Sequence, residues 1–160
     1  MVRKSDVTGQ NFARSALECG GLTPLFDPCH PCNPWLLFTM AKHALYEKLV
    51  AEAKKNITEI PPQDAASKLK GGEAVIVDVR ETDEWDEEHI PGAMHMSRGT
   101  IELDIEEKVP DTNAMIICHC GGGGRSALAA ESLQKMGYKN VRSMGGGFKA
   151  WKAAGLPTTK

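Results

Sequence analysis

Segments typical of buried β-strands alternate with segments typical of helices along most of this sequence. The clearest strand is the β-branched run AVIVDV at residues 74–79, which suits a strand buried on both faces. Three further strands are predicted, at residues 57–60, 114–118 and 141–144. Helices are predicted between them, at residues 62–70, 82–88, 125–136 and around Phe148 and Trp151. This alternation favours an α/β domain with a mainly parallel central sheet flanked by helices.

Composition changes near Met40, and the chain divides there. Residues 1–39 contain four prolines and three of the five cysteines without a sustained periodicity, which predicts an irregular N-terminal extension. Residues 40–56 place apolar side chains, among them Leu45 and Leu49, at helical spacing and predict an N-terminal helix. Residues 57–160 are expected to form the α/β domain.

Charge and composition exclude several classes of protein. The 160 residues include 19 Lys and Arg against 21 Asp and Glu, which gives no support to a nucleic-acid-binding surface. No apolar run approaches the roughly 20 residues of a membrane helix, and the polar start of the chain is unlike a secretory signal. Five cysteines are an odd number and sparse for a disulfide scaffold, so we expect a protein of the reducing cytoplasm.

The segment CHCGGGGRS at residues 118–126 carries the chemistry, because it joins a predicted buried strand to a helix. Consecutive glycines let the backbone curl so that its N–H groups form an anion-binding nest beside the positive end of the helix. Arg125 adds a permanent charge. A cysteine at such a site loses its proton readily, so Cys120 is the predicted nucleophile. A flexible loop, or a phosphate-binding turn without covalent chemistry, is the alternative, although the Lys-Ser/Thr ending of a nucleotide P-loop is missing.

Three motifs in order resemble those of single-domain rhodaneses. Residues 120–126 resemble the active-site loop of that family, in which Cys-x-x-Gly-x-Arg-Ser opens a helix. The first signature of the family is similar to VDVR at 77–80, Glu84-Trp85 and HIPGA at 89–93. The carboxyl-terminal signature is similar to three segments: Gly145-Gly146-Gly147, Trp151 and GLP at 155–157. The resemblance covers residues 57–158 and implies a rhodanese-like fold.

This resemblance implies a sulfurtransferase that works by a ping-pong cycle. Cys120 would take sulfane sulfur from thiosulfate or a small-molecule or protein persulfide, and would pass it from a persulfide intermediate to cyanide or a thiol. Arg125 is the second catalytic residue, expected to hold an anionic donor and support the thiolate, or to tie the loop to the strands beneath. The substrate-binding residues would be Gly121, Gly122, Gly123, Gly124 and Ser126. No metal, other cofactor, nucleic acid or membrane partner is expected.

Loop length separates this hypothesis from its main enzymatic competitor. Cysteine phosphatases wrap a phosphate with Cys-x5-Arg, whereas four residues separate Cys120 from Arg125 and six separate Cys118 from it. The shorter loop suits a single sulfur atom better than a tetrahedral phosphate. A non-catalytic rhodanese-like module that binds a partner is the alternative from a different class, and a phosphatase or arsenate reductase is the third.

Gly121 and Gly122 depart from the family pattern, which often has a basic or polar side chain just after the cysteine. The departure leaves donor preference open. It is expected to weaken capture of a small dianion such as thiosulfate, which would favour a bulkier donor such as a protein or glutathione persulfide.

Several polar residues near these motifs receive structural interpretations. Asp78 and Arg80 are expected to support the structure, with Asp78 bonded to backbone N–H groups or to Arg80. His119 should point away from the face that Cys118 and Cys120 share, because strand side chains alternate. Cys118 is expected to pack as a small apolar residue.

More than one interpretation remains open for two further segments. The six carboxylates within residues 81–88 predict a solvated face, with a docking patch for a basic partner as the alternative. The Cys29-His30-Pro31-Cys32 motif is interpreted as an incidental pair, with a zinc site or a redox pair as the alternatives.

Overall fold

The computed structural model describes residues 43–160. The predicted extension at residues 1–39, with its CHPC motif, lies outside this part of the chain. The described residues form six helices and five strands in the order α1 (Ala44–Asn56), β1 (Thr58–Ile60), α2 (Pro62–Lys70), β2 (Val75–Asp78), α3 (Thr82–Glu87), β3 (Met94–His95), α4 (Ile101–Lys108), β4 (Met115–His119), α5 (Gly124–Lys135), β5 (Asn140–Met144) and α6 (Gly147–Ala153).

The five strands form one sheet in the order β1-β5-β4-β2-β3, and each neighbouring pair is parallel. The prediction of an α/β fold with a mainly parallel sheet is therefore confirmed. Strand β4 lies in the middle, with Cys118 opposite Val77 of β2 and Ser143 of β5. The loop that follows β4 therefore starts at the centre of the carboxyl edge of the sheet. Open α/β sheets bind their ligands at this edge.

A hydrophobic core covers each face of the sheet, and β4 contributes to both. Ile116, Cys118 and Cys120 lie in one core, while Ile117 lies in the other. This alternation follows from the period of two in an extended strand. The two buried faces explain why the strand sequences are almost continuously apolar.

The N-terminal helix α1 packs along α5, and Asn56 donates a hydrogen bond to Glu131 across the pair at 2.9 Å. Its apolar side chains are only partly covered. Ala53 is buried, whereas Leu45 and Leu49 are 86% and 52% exposed. Helical spacing therefore identified the helix correctly but did not show which apolar positions are buried.

Two elements, β3 and α4, have no counterpart in the sequence-based predictions. Strand β3 has two residues, too few for a periodic signal, and α4 has the charge-rich sequence IELDIEEK. Only Ile101 and Ile105 of α4 are buried, so one pair at i, i+4 holds the helix to the core. No helix within residues 43–160 combines the length and the apolar character that crossing a membrane requires.

Candidate active site

Cys120 lies between the end of β4 and the start of α5, in the middle of the carboxyl edge of the sheet. Gly123, which precedes α5, has a φ of 94°, a left-handed conformation that side chains other than hydrogen rarely allow. This turn brings the Gly123 amide to 3.2 Å from the Cys120 Sγ atom, to which it donates a hydrogen bond. The loop therefore curls around the sulfur of the predicted nucleophile.

The remaining amides of this loop have no acceptor in the part of the chain that the structure describes. Within residues 43–160, no carbonyl or side chain accepts a hydrogen bond from the backbone amides of Gly121, Gly122, Gly124 or Arg125. Helix N-termini such as the first turn of α5 commonly leave N–H groups without an intrahelical partner. The sequence predicted an anion-binding nest of loop amides, and of these the Gly123 amide meets Sγ itself. The others are available to a second atom beyond it.

Two buried serine hydroxyls lie behind the cysteine. The Sγ atom of Cys120, a residue only 1% exposed, is 3.7 Å from Oγ of Ser126, within hydrogen-bond distance for sulfur. The Ser126 hydroxyl is in turn 2.9 Å from Oγ of Ser143, on β5. Ser143 is absent from the sequence predictions. The sequence feature that could have identified Ser143 is a polar residue within a predicted strand, on the same face as the apolar Val141.

The second glycine tract holds the loop in place. Gly147, with a φ of 58°, begins α6, and a β-carbon there would overlap the carbonyl oxygen of Cys120. This close approach lets the amide of Phe148 donate to the Cys120 carbonyl at 2.6 Å, and the amide of Lys149 donate to the Gly121 carbonyl at 3.1 Å. The start of α6 therefore positions the backbone on both sides of the Cys120–Gly121 bond.

Arg125 is paired with a carboxylate of the acidic helix α3. Its Nη1 and Nη2 atoms donate to the two oxygens of Glu84 at 2.6 Å and 3.0 Å. These hydrogen bonds hold the pKa of Glu84 below its usual value and raise that of Arg125. One expectation from the sequence was that Arg125 links the loop to the strands beneath it. The structure instead shows Arg125 hydrogen-bonded to Glu84 of α3.

The acidic segment therefore has a structural role besides exposing charge to solvent. Glu84 pairs with Arg125, while Glu88 pairs with Lys152 of α6 and accepts a hydrogen bond from Thr158 at 2.6 Å. The other carboxylates of α3 are exposed.

Asp78 and Arg80 form a buried ion pair at the carboxyl end of β2. The Asp78 carboxylate, which is fully buried, accepts hydrogen bonds from Arg80 Nε at 2.9 Å, from Nη2 at 2.6 Å and from the Arg80 backbone amide at 3.0 Å. Arg80 also donates to the Glu88 carbonyl, and its guanidinium lies 4.2 Å from the centre of the Phe148 ring. The pair thus links β2 to α3 and α6.

His119 is buried on the opposite face of β4 from Cys120, with its ring 6.1 Å from that of Phe148. Its Nε2 atom is 3.5 Å from the Asp78 carboxylate but makes no hydrogen bond with it, and within residues 43–160 neither ring nitrogen has a partner. Burial lowers the pKa of His119 to about 4, so the ring is neutral at pH 7.

Cys118 shares the core with Cys120, and burial raises the pKa of its thiol to about 12. A thiol that stays protonated is a poor nucleophile. His89, whose ring stacks 3.8 Å from that of Trp85, pairs through its backbone with Thr159. These contacts join His89 to Trp85 and Thr159, neither of which belongs to the cysteine loop.

A cysteine inside a glycine-rich strand-to-helix loop, at the carboxyl edge of a five-stranded parallel sheet, places this chain among α/β domains that carry a cysteine loop. Residues 61–154 match the family model of the rhodanese-like domain. This match covers more than half of the chain, which therefore belongs to the rhodanese-like family.

Relatives of the chain are named for sulfur chemistry and, in one case, for phosphate chemistry. The Bacillus subtilis "Putative sulfur carrier protein YrkF" is 34% identical over 102 residues, which are 63% of this chain and 54% of that protein. The chain thus spans about half the length of this relative.

Two solved structures are similar over most of the chain. A Rhodopseudomonas palustris protein of unknown function, described as a possible tyrosine phosphatase, matches with a TM-score of 0.64 and 35% identity, over 71% of this chain and 93% of that one. The polysulfide-sulfur transferase homodimer of Wolinella succinogenes matches with a TM-score of 0.63 and 28% identity, over 72% of this chain and 88% of that one.

Proposed function

We propose that this protein transfers sulfane sulfur through a persulfide on Cys120. The observation that carries the proposal is the loop around Cys120, which places one amide on Sγ, while the amides of Gly121, Gly122, Gly124 and Arg125 have no acceptor among residues 43–160 and can take one further atom. A persulfide adds one anionic sulfur to Sγ, and free backbone N–H groups stabilise such an anion without a metal. Membership of the rhodanese-like family and the relatives named for sulfur transfer support the same chemistry.

The reaction has two displacements at sulfur. The Cys120 thiolate attacks the sulfane sulfur of the donor, a new S–S bond forms, and the electron pair of the broken S–S bond leaves with sulfite or with a thiolate. A cyanide ion or an acceptor thiolate then attacks the outer sulfur of the persulfide and releases the Cys120 thiolate. The sulfur moves without a net change in oxidation state, so the cycle needs no external oxidant or reductant.

We assign roles to the neighbouring residues from their contacts. The Cys120 thiol donates to the Ser126 hydroxyl oxygen in this structure, so once the thiol has lost its proton that hydroxyl is in place to donate to the thiolate. Ser143 lies behind Ser126, and Arg125 holds the loop against α3. Asp78 and Arg80 hold β2 to the end of α3 and to Phe148, whose amide donates to the Cys120 carbonyl, and they take no part in bond making.

The direct test is intact-mass measurement after incubation with thiosulfate and, separately, with glutathione persulfide. We expect the protein to gain the mass of one sulfur atom and to lose it on addition of cyanide or dithiothreitol. Cys120→Ala should gain none, while Cys118→Ala, which removes the other buried thiol of the described residues, should still be loaded. Absence of a sulfur adduct with every donor would contradict the proposal and favour a partner-binding module.

A sulfur carrier is the second candidate, because one relative is named as such. A carrier and an enzyme share the Cys120 persulfide and differ in what consumes it. Steady-state turnover with thiosulfate and cyanide would identify an enzyme. A persulfide that forms but discharges only to a partner protein would identify a carrier.

The phosphatase alternative is raised again by the description of the Rhodopseudomonas relative. The spacing of four residues between Cys120 and Arg125, and the pairing of both terminal nitrogens of Arg125 with Glu84, argue against a phosphate cradle. We expect no hydrolysis of an aryl phosphate; hydrolysis that disappears in Cys120→Ala would replace sulfur transfer with phosphatase chemistry.

A further inference from the structure

Both terminal nitrogens of the guanidinium beside Cys120 pair with a carboxylate. Arg125 Nη1 and Nη2 donate to the two oxygens of Glu84, and a second carboxylate oxygen, from Glu81, lies 3.8 Å from Nη1. These three side chains carry two negative charges and one positive charge. An anion that approaches them meets a group with a net negative charge, in which the edge between the two terminal nitrogens already holds a carboxylate.

This ion pair lies at the approach to Cys120. A β-carbon built on Gly121, the residue after the nucleophile, would lie 3.5 Å from Arg125 Nη2 and 3.6 Å from Glu84 Oε1. Residues 121 and 122 are glycines, so neither places a side chain between the pair and the cysteine. The charge of the pair therefore acts on any donor that reaches Cys120 past Gly121.

Glu84 is held in this position by its own helix. Glu81 and Glu84 form a capping box at the start of α3, in which the Glu81 amide donates to Glu84 Oε2 at 3.4 Å while the Glu81 side chain accepts from the Glu84 amide. The carboxylate that occupies Arg125 is thus oriented from both sides. Such an arrangement resists displacement by a competing anion better than a lone surface pair does.

We propose that Glu84 selects the sulfur donor, because by occupying Arg125 it disfavours thiosulfate and favours a thiol persulfide, RS–SH. The inference rests on the proposed sulfur transfer and deepens it. Thiosulfate enters as a dianion and leaves as sulfite, also a dianion, so two negative charges must be stabilised throughout. A persulfide in its protonated form brings no charge, and attack by the Cys120 thiolate gives Cys120–S–SH and one thiolate RS⁻. The net-negative entrance therefore penalises thiosulfate more than the persulfide.

The test compares two donors in wild-type protein and in Glu84→Gln. Glutamine keeps the size of the side chain and its helix-capping ability but removes the charge and one strong acceptor. We expect kcat/KM for thiosulfate relative to cysteine persulfide, whose carboxylate and ammonium charges cancel, to rise about tenfold, with a weaker rise at high salt because the effect is electrostatic. Glu102→Gln is the matched control, because Glu102 also pairs with an arginine, Arg98, but away from the loop. The donor ratio should stay unchanged in this control.

A second variant covers the case in which Glu84→Gln does not fold. Glu81→Gln removes one charge without breaking the Arg125–Glu84 hydrogen bonds and should shift the donor ratio in the same direction by a smaller factor. A purely structural role of Glu84 would lower both activities together and leave the ratio unchanged, which would overturn the inference. If wild-type protein gained sulfur from neither donor, sulfur transfer itself would be wrong, and donor selection with it.

Discussion

At the scale of single residues, two buried thiols lie two positions apart. Cys118 and Cys120 share one core, but among the hydrogen bonds within residues 43–160 only the sulfur of Cys120 has a partner, a backbone amide and a serine hydroxyl. Burial raises the pKa of Cys118 to about 12. Hydrogen-bond donors and not exposure therefore distinguish the proposed nucleophile from a core thiol.

Removing the Ser126 hydroxyl should slow reactions of Cys120. In Ser126→Ala, the thiolate loses one hydrogen-bond donor worth about 1 kcal/mol, so alkylation by iodoacetamide at pH 7 should slow by about fivefold. Ser126→Thr, which retains a hydroxyl, should react at close to the wild-type rate, and Ser143→Ala should show a smaller loss than Ser126→Ala. Equal alkylation rates in wild type and Ser126→Ala would exclude this role of the hydroxyl.

At the scale of elements, the site is the junction of two glycine tracts that are far apart in sequence. The strand-to-helix loop of β4–α5 curls around the sulfur, and the start of α6 donates two amides to carbonyls of that loop. The contact is possible because Gly147 has no β-carbon where the backbones meet. The carboxyl-terminal motif of the chain thus holds the Cys120 loop in position.

Gly147→Ala should therefore damage both stability and sulfur loading. The left-handed φ costs a non-glycine residue about 1–2 kcal/mol, and the overlap with the Cys120 carbonyl adds about 1–3 kcal/mol of overpacking. Thermal unfolding and persulfide formation would measure the two effects.

Gly137→Ala is the control for this prediction, because Gly137 also has a positive φ, 105°, but a β-carbon there would meet nothing within 4 Å. That variant should lose only the cost of the left-handed backbone and should still be loaded with sulfur. Equal losses in the two variants would contradict the proposed contact between the glycine tracts.

At the scale of the whole molecule, the parallel pairing of β2 with β4 places the neutral His119 beside the buried Asp78–Arg80 ion pair. His119 lies beside Asp78, which Arg80 already saturates, so the imidazole is buried without a hydrogen-bond partner among residues 43–160. An unfolded chain would bind a proton at this histidine below about pH 6.5, whereas the folded protein excludes that proton down to about pH 4.

This difference predicts a loss of stability on acidification. Because the unfolded state binds more protons between about pH 6.5 and about pH 4, the free energy of unfolding should fall through this range as the pH is lowered, by about 1 kcal/mol per pH unit from this residue. The contribution is fully present above the unfolded pKa. Urea unfolding of wild type and His119→Phe from pH 4.5 to 7.5 would measure it. The difference between the two proteins should depend on pH, and parallel curves would show that the buried imidazole does not contribute.

The order of elements was largely predictable, and the missing parts have physical reasons. Strands β2, β4 and β5 and helices α2, α3 and α5 were predicted close to their observed bounds, because a strand buried on both faces leaves a continuous apolar run and a surface helix leaves a period of 3.6. Strand β3 is too short for any period. The exposure of Leu45 shows that periodicity places a side chain on a face without determining what covers that face.

The sequence by itself determined the proposed nucleophile, the glycine loop around it and the family, because each of the motifs on which they rest is a short run of residues whose backbone conformation is local. The tertiary structure alone decided the partners of that loop. Arg125 meets Glu84 from 41 positions away, and Ser126 meets Ser143 from 17 positions away, across the edge of the sheet. Such contacts depend on the order and direction of the strands, which bring distant residues together and which no local period encodes.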